Sequence, residues 1–317
     1  MSQKKDYVVL AYYHFFQCLD PHGEVDKFLA YLGQCDATSR IYISEEGING
    51  QMSIRHDQAE AFMEWVRQDE RFAGMEFKIQ FYHEHVFPRL TVKYRKQLVA
   101  IDFEVDRSLK GHYLTPQEWK EHLDSGQDHL LLDVRNDYEW KIGHFKGATL
   151  PPCSTFRDFP DYADQLKESH DPKKTKVLMY CTGGIRCEIY SSLLKQKGFE
   201  NVFQLEGGII KYGEENGNKH WKGKLFVFDD RLSVPMSEEE ETISICHHCQ
   251  KECDTYLNCA NMDCNELFTC CDSCTVDFTG CCCEKCKGAP RVRPYHKDEP
   301  HKPFRRYHLL RQENKKK

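Results

Sequence analysis

Lys176-Val-Leu-Met-Tyr-Cys181-Thr-Gly-Gly-Ile-Arg186-Cys187-Glu188 sets the fold of the middle of the chain. A β-rich apolar run ends in a cysteine, two glycines follow, and an arginine opens a segment with Ile189, Leu193 and Leu194 at helical spacing. The pattern predicts strand, tight loop, helix. At such a junction the first helical amides lack intrahelical acceptors and the helix dipole adds positive charge. A thiol held there loses its proton early, and Arg186 adds a fixed cation. Cys181 is therefore expected to be a thiolate at neutral pH. It could attack sulfur or carry a persulfide, its charge stabilised by the loop amides of Thr182, Gly183, Gly184 and Ile185.

The flanking residues repeat the alternation of strand and helix. Gly111-His-Tyr-Leu-Thr115 followed by Pro116 has a capping threonine and a proline at the first helical position. Leu130-Leu-Leu-Asp-Val-Arg135 reads as a buried strand, and Asp137 to Ile142 as a helical turn. Gly143-His-Phe-Lys-Gly-Ala148 reads as a loop entering another short strand, and Tyr162 to Glu168 as a helix. Asn201-Val-Phe-Gln-Leu205 returns as a strand ending at Gly207-Gly208. This order predicts a parallel sheet covered on both faces, with ligands bound off the carboxyl ends of its strands, where Cys181 stands.

Upstream, Tyr7 to Phe16 is a dense β-forming run, followed by a helix from Gly23 to Leu32. Arg40-Ile-Tyr-Ile-Ser44 and Gln51-Met-Ser-Ile54 read as short strands around a turn at Glu46-Gly-Ile-Asn-Gly50. A helix from Asp57 to Gln68 and strands at Phe77–Phe81 and Leu90–Tyr94 complete the order β-α-β-β-α-β, that of a ferredoxin-like or acylphosphatase-like α+β domain. Arg89, Lys93, Arg95 and Lys96 admit two readings, a phosphate track or a solvated strand face.

Of 17 cysteines, twelve lie between Cys246 and Cys286, a clustering that points to metal rather than disulfides. Cys246, Cys249, Cys271 and Cys274 form two Cys-x2-Cys knuckles suited to one tetrahedral zinc. Cys253, Cys259, Cys264, Cys281, Cys282, Cys283 and Cys286 could supply a second site, and spacing does not choose among them. His247 and His248 read as bystanders. Beyond the cluster, from Arg291 to Lys317, ten Lys/Arg face three Asp/Glu, although the 317-residue chain carries a net charge of −6. Arg305 and Arg306 are candidate RNA contacts in this tail. No apolar run approaches the roughly 20 residues of a membrane span, and the N-terminus lacks a secretion signal's apolar core, so a cytoplasmic protein without a membrane partner is expected.

Leu-Asp-Val-Arg135, Gly-His-Phe-Lys-Gly-Ala148, Cys-Thr-Gly-Gly-Ile-Arg186 and Leu-Glu-Gly-Gly208, in this order, resemble a rhodanese domain over about residues 110–222. The resemblance implies a persulfide-bearing role for Cys181 and a charge-stabilising role for Arg186, with Asp133 and Arg135 architectural. A cysteine phosphatase has five residues between its cysteine and arginine; the four here, Thr182 to Ile185, suit sulfur better than a phosphoryl group. The whole chain is similar to something narrower. Glu46-Gly-Ile-Asn-Gly50, Cys181-Thr-Gly-Gly-Ile-Arg-Cys187-Glu188, Phe226-Val-Phe-Asp229 and the cysteine-rich tail resemble the bacterial tRNA uridine-34 hydroxylase family.

That resemblance implies oxygen-dependent formation of 5-hydroxyuridine at the wobble position, with molecular oxygen as co-substrate and the anticodon region of tRNA as partner. No flavin or nicotinamide fingerprint accompanies it. A reading consistent with the residues is addition of Cys181 to C6 of the pyrimidine, which makes C5 electron-rich. Cys187 is either a resolving thiol or a packing residue. Two other classes stand beside the hydroxylase: a rhodanese-type sulfurtransferase using a Cys181 persulfide, and a non-enzymatic zinc and RNA adaptor. The expected division is a ferredoxin-like domain over 1–108, a rhodanese-like catalytic domain over 109–230, and an acidic linker, zinc-ribbon-like module and basic tail over 231–317.

Overall fold

The structure, a computed structural model, describes residues 4–101 and 103–295. Most of the basic tail, including Arg305 and Arg306, lies outside the described residues. The first domain runs β1 (Tyr7–Phe15), α1 (Pro21–Leu32), β2 (Ala37–Ser44), β3 (Gly47–Arg55), α2 (His56–Arg67), β4 (Lys78–Tyr82) and β5 (Val92–Tyr94). Its sheet has the order β4-β1-β3-β2-β5. The first four strands pair antiparallel in the ferredoxin-like order, and β5 joins β2 in parallel. Asp20 starts α1 by accepting the Gly23 amide, with Pro21 in the first turn.

Strand alternation divides this sheet between two different environments. Leu10, Tyr12, Ile41, Ile43, Ile48 and Met52 point into a core with Phe28, Leu32, Phe62 and Val66 of the helices. Burying each large aliphatic or aromatic side chain there contributes about 1.5–3 kcal/mol. On the opposite face Tyr13, Arg40, Tyr42, Asn49, Gln51 and Lys78 meet the second domain, while Val9, Thr38 and Ser53 are covered by His85, Val86 and Phe87. The expected turn at Glu46-Gly-Ile-Asn-Gly50 is displaced: the turn residues are Glu45 and Glu46, and Gly47 to Gly50 are already strand. Gly50 is there because the Tyr12 ring fills the space of a side chain, with a Cβ falling 2.4 Å from it. Glu46 ties the turn to the interdomain segment by accepting the Leu98 amide at 2.7 Å.

The second domain comprises β6 (His112–Leu114), α3 (Pro116–Asp124), β7 (Leu130–Asp133), α4 (Asp137–Trp140), β8 (Gly143–Phe145), α5 (Phe159–Ser169), β9 (Lys176–Tyr180), α6 (Ile185–Gln196), β10 (Asn201–Leu205), α7 (Gly208–Asn216) and β11 (Trp221–Gly223). The strands β6-β10-β9-β7 form a parallel sheet in that order. Val177 and Met179 pack with Phe159, Leu166, Ile189 and Leu194 of α5 and α6. Leu178 and Tyr180 point the other way, toward Trp119, Ile209 and Tyr212 of α3 and α7. Both faces are thus covered, as the continuous apolar strands require. Gly143-His-Phe145, expected as a loop, is a strand paired antiparallel with β11. A Cβ on Gly143 would lie 2.0 Å from the Lys224 carbonyl, so only glycine permits that approach.

The remaining elements are β12 (Leu225–Phe226), β13 (Ser233–Val234), β14 (Tyr256–Asn258), β15 (Leu267–Thr269), α8 (Asp272–Asp277) and α9 (Glu284–Lys287). Leu225, Val227 and Val234 belong to the apolar cluster of the second domain. The segment after β12 also clasps the first domain. Arg40 donates to the Phe228 carbonyl at 3.1 Å, and Arg231 to Gln80 at 2.6 Å. Among the described residues no helix is long and apolar enough to cross a membrane.

Candidate active site

Cys181 lies immediately beyond β9 and is fully buried. The Gly184 amide donates to its Sγ at 3.1 Å. Gly184 adopts φ +102, and a Cβ there would meet the Tyr13 hydroxyl at 2.8 Å, so a side chain is excluded twice over. From below, the amides of Ile209 and Ile210 at the start of α7 donate to the carbonyls of Cys181 and Thr182 at 3.0 and 3.1 Å. Gly208 allows this contact: its Cβ would fall 2.6 Å from the Cys181 carbonyl. The Leu-Glu-Gly-Gly208 motif therefore locks the back of the cysteine loop.

Arg186 is also buried, and its cation is shared with a carboxylate that the sequence reading missed. Glu139, from α4, receives both terminal nitrogens of Arg186, one of them at 2.8 Å. Thr182 Oγ1 accepts from Arg186 at 3.1 Å and donates to Glu139 at 3.2 Å. Removing one partner of such a buried pair leaves an uncompensated charge, at a cost of about 3–5 kcal/mol. Glu139 also accepts the Asn136 amide at 3.1 Å, which fixes it on the short helix. The Asn-x-x-Glu spacing of a capping box signals the turn but not its Arg186 partner.

Burial alone pushes the Cys181 thiol up. The Cys187 thiol, the Arg186 charge and the amides of Cys187 and Gly184 outweigh it and bring the pKa down to about 5. Burial, and then the neighbouring Cys181, hold the Cys187 thiol well above its usual range. Cys187 thus remains protonated and serves as a donor to its neighbour. The site can hold a desolvated thiolate at neutral pH.

Above the loop is the outward face of the first domain's sheet. Between them lies a cavity of about 230 Å³ lined by Thr182, Gly183, Ile185 and Arg186 below and by Tyr13, Arg40, Tyr42, Asn49, Gln51 and Lys78 above. Phe156 and Phe228 close its sides and cover the Arg186 guanidinium, their ring centroids 5.2 and 5.7 Å away. Of these lining residues the sequence reading gave a chemical role only to the loop; Asn49 and Phe228 fall in the quoted motifs Glu46-Gly-Ile-Asn-Gly50 and Phe226-Val-Phe-Asp229 without one. The available signal for the rest was β1, which is apolar on both alternating faces and therefore covered on both.

Two further groups of side chains converge in the C-terminal module. Cys246, Cys249, Cys271 and Cys274 form one set, and Cys259, Cys264, Cys282 and Cys286 the other, each with its sulfurs within 4.8 Å of one another. The four pairs alternate along the chain, first with third and second with fourth, so the two sets brace each other across β14, β15 and α8. Backbone amides of Cys271 and Cys282 donate to Cys246 and Cys259, both at 3.4 Å, the arrangement that supports thiolate ligands. Either set could hold a metal. Cys253, Cys281 and Cys283, weighed for the second site, belong to neither set; Cys253 and Cys281 are buried in the apolar core with Leu257 and Phe268, and Cys283 is exposed. His248 stacks on Phe278 with centroids 3.7 Å apart.

Because Cys187 lowers the Cys181 pKa, Cys187→Ala should move the thiolate midpoint upward from about 5 toward the ordinary value of 9.0. Ultraviolet thiolate absorbance, read as the difference from Cys181→Ser in each background, measures this directly. An unmoved midpoint would contradict the assigned hydrogen bond.

Residues 7–98 match the UPF0176 acylphosphatase like domain, residues 115–215 the rhodanese-like domain, and residues 222–287 the rhodanase C-terminal model. A solved rhodanese-like domain from Anabaena sp. is 25% identical, with a TM-score of 0.30, over 35% of this chain and 78% of that one. The tRNA uridine(34) hydroxylase of Protochlamydia amoebophila is 57% identical over 97% of this chain and 97% of its own. That of Chlamydia felis is 52% identical over 96% of this chain and 95% of its own. With more than half of the residues identical over nearly the whole of each chain, the chain belongs to the tRNA uridine(34) hydroxylase family.

Proposed function

We propose that the chain hydroxylates C5 of uridine 34 in the anticodon of tRNA, in the cytoplasm, with Cys181 as the nucleophile and molecular oxygen as the source of the added atom. The observation that carries this reading is a buried thiol held as thiolate beside a cavity between two domains. Addition of the thiolate to C6 moves electron density to C5, the carbon to be oxidised. Replacing C5–H by C5–OH with dioxygen sends the second oxygen atom to water and consumes two electrons, so a thiol reductant belongs in the reaction. The substrate base has to leave its stack to enter the cavity.

Arg40, Arg89, Lys93 and Arg95 line a neighbouring pocket of about 260 Å³, which supports contact with the RNA backbone. Arg305 and Arg306 remain part of this proposal as tail contacts. Sulfur transfer through a Cys181 persulfide uses the same loop but assigns nothing to the polar face above it.

We infer zinc in both cysteine sets, since four thiolates with amide donors to sulfur suit a closed structural site. Zinc would fix the module's fold and supply no open position for chemistry.

Incubated with unmodified tRNA, oxygen and a dithiol, the purified protein should yield 5-hydroxyuridine by nucleoside mass spectrometry. Cys181→Ser should lose at least about a thousandfold in rate, and exclusion of oxygen should stop the reaction. Equal product from Cys181→Ser would remove the thiol from the mechanism.

For the metal, Cys249→Ser and Cys264→Ser should each cost one of two bound zinc equivalents, while Cys253→Ser keeps both. Native mass spectrometry gives the count, and loss of metal from Cys253→Ser would overturn the assignment.

A further inference from the structure

The face of the first domain that covers the Cys181 loop is unexpectedly polar for a surface held between two domains. Strand register explains how its side chains meet. Lys78 on β4 lies opposite Ala11 on β1, Ala11 opposite Gln51 on β3, and Gln51 opposite Arg40 on β2. In the next row Tyr13 lies opposite Asn49, and Asn49 opposite Tyr42. Ala11 is the small residue in the first row, which leaves space between Lys78 and Gln51. Asn49 belongs to Glu46-Gly-Ile-Asn-Gly50, the motif for which the chemistry of the Cys181 loop supplies no role.

Lys78 lines the cavity, half-buried, with its ammonium 5.4 Å from the centroid of the Tyr13 ring. Among the described residues it has no ion pair or hydrogen bond, and the side-chain amides of Asn49 and Gln51 have no hydrogen bond either. Burial pulls the Lys78 pKa below its ordinary value, while the Cys181 charge works against that fall. All three side chains are half-buried and keep some contact with solvent, so they stand at the cavity wall with their hydrogen-bonding capacity open to a ligand. The missing partner has oxygen acceptors and a planar polar edge. The cavity's volume of about 230 Å³ equals about eight waters, room for one pyrimidine ring.

We propose that this cavity is a uracil-binding pocket in which Lys78 donates to the ring carbonyl O4 while Asn49 and Gln51 hold the ring's polar edge. The proposal rests on the hydroxylase reading and assigns a catalytic residue that the loop alone does not provide. When the Cys181 thiolate forms the S–C6 bond, the C5=C6 π pair shifts to C5 and, through C4, onto O4. One negative charge moves from sulfur to the enolate oxygen, with no change in oxidation state and no leaving group. A cation fixed beside O4 stabilises that charge more than it stabilises the neutral ring, which is the condition for catalysis. Cytosine places an amino donor where uracil has O4, so Lys78 would face it donor to donor, and the pocket would reject it.

The test is single-turnover hydroxylation of an anticodon stem-loop RNA carrying uridine at position 34. Lys78→Met should lower the rate about a hundredfold with RNA affinity unchanged, and Lys78→Arg, which keeps a donor cation, should recover most of it. In the unsubstituted protein, Lys78 should be protected from acetylation by RNA with uridine 34 and not by RNA abasic at that position. Native rate in Lys78→Met, a fall explained wholly by weaker RNA binding, or equal acetylation with both RNAs would overturn the pocket. No product from the unsubstituted protein would instead overturn the hydroxylase reading.

Discussion

A thiolate with no contact to water is unstable unless its surroundings replace hydration, and the site is organised around that requirement. Gly184 and Cys187 supply donors from the first turn of α6, and Arg186 supplies charge from the same turn. Arg186 is itself buried and must be compensated, which is the part played by Glu139 on α4. Glu139 in turn is held by Asn136 and Thr182, and the loop's carbonyls are held by the start of α7. One desolvated sulfur thus accounts for the placing of three helices and for Gly184 and Gly208. Full burial also means that the loop has to yield before a base reaches sulfur. Nothing lies within 4 Å of a Cβ on Gly183, so that residue has the room to move.

The two domains depend on each other through the same site. The parallel sheet holds the nucleophile off the carboxyl end of a central strand, where such sheets bind ligands. It offers little that would recognise a base. The antiparallel sheet brings a row of polar side chains and aromatic rings but no nucleophile. Strand alternation lets one sheet serve both a hydrocarbon core on the helix side and a polar roof on the other. The Phe226-Val-Phe-Asp229 segment joins them, with Phe228 beside Arg186 and its carbonyl accepting from Arg40. Neither domain would contain the cavity alone.

How much of this was legible depended on the range of the determining interactions. The Cys181 loop is encoded within a few contiguous residues, as are the capping threonine of α3 and the paired apolar faces of β9. The ferredoxin-like order followed from local periodicity. Gly47-Ile-Asn-Gly50 was misplaced because glycine and asparagine usually mark turns, whereas Gly50 is dictated by the Tyr12 ring from another strand. Lys78 and Glu139 were invisible for a similar reason: each is an ordinary strand or helix residue until register or packing supplies its neighbour. The second cysteine set could not be chosen by spacing, since its pairs are brought together by cross-bracing of the whole module.

On the proposed mechanism the Cys181 sulfur bonds to C6 of the uracil ring. An anticodon stem-loop with 5-fluorouridine at position 34 tests it most directly, because fluorine at C5 blocks the loss of hydrogen that would release the enzyme. Denaturing electrophoresis and peptide mass spectrometry should then find a covalent RNA adduct on the peptide containing Cys181, absent in Cys181→Ser. An adduct on another cysteine, or turnover of the RNA containing uridine 34 with no adduct from its fluorinated counterpart, would contradict the account.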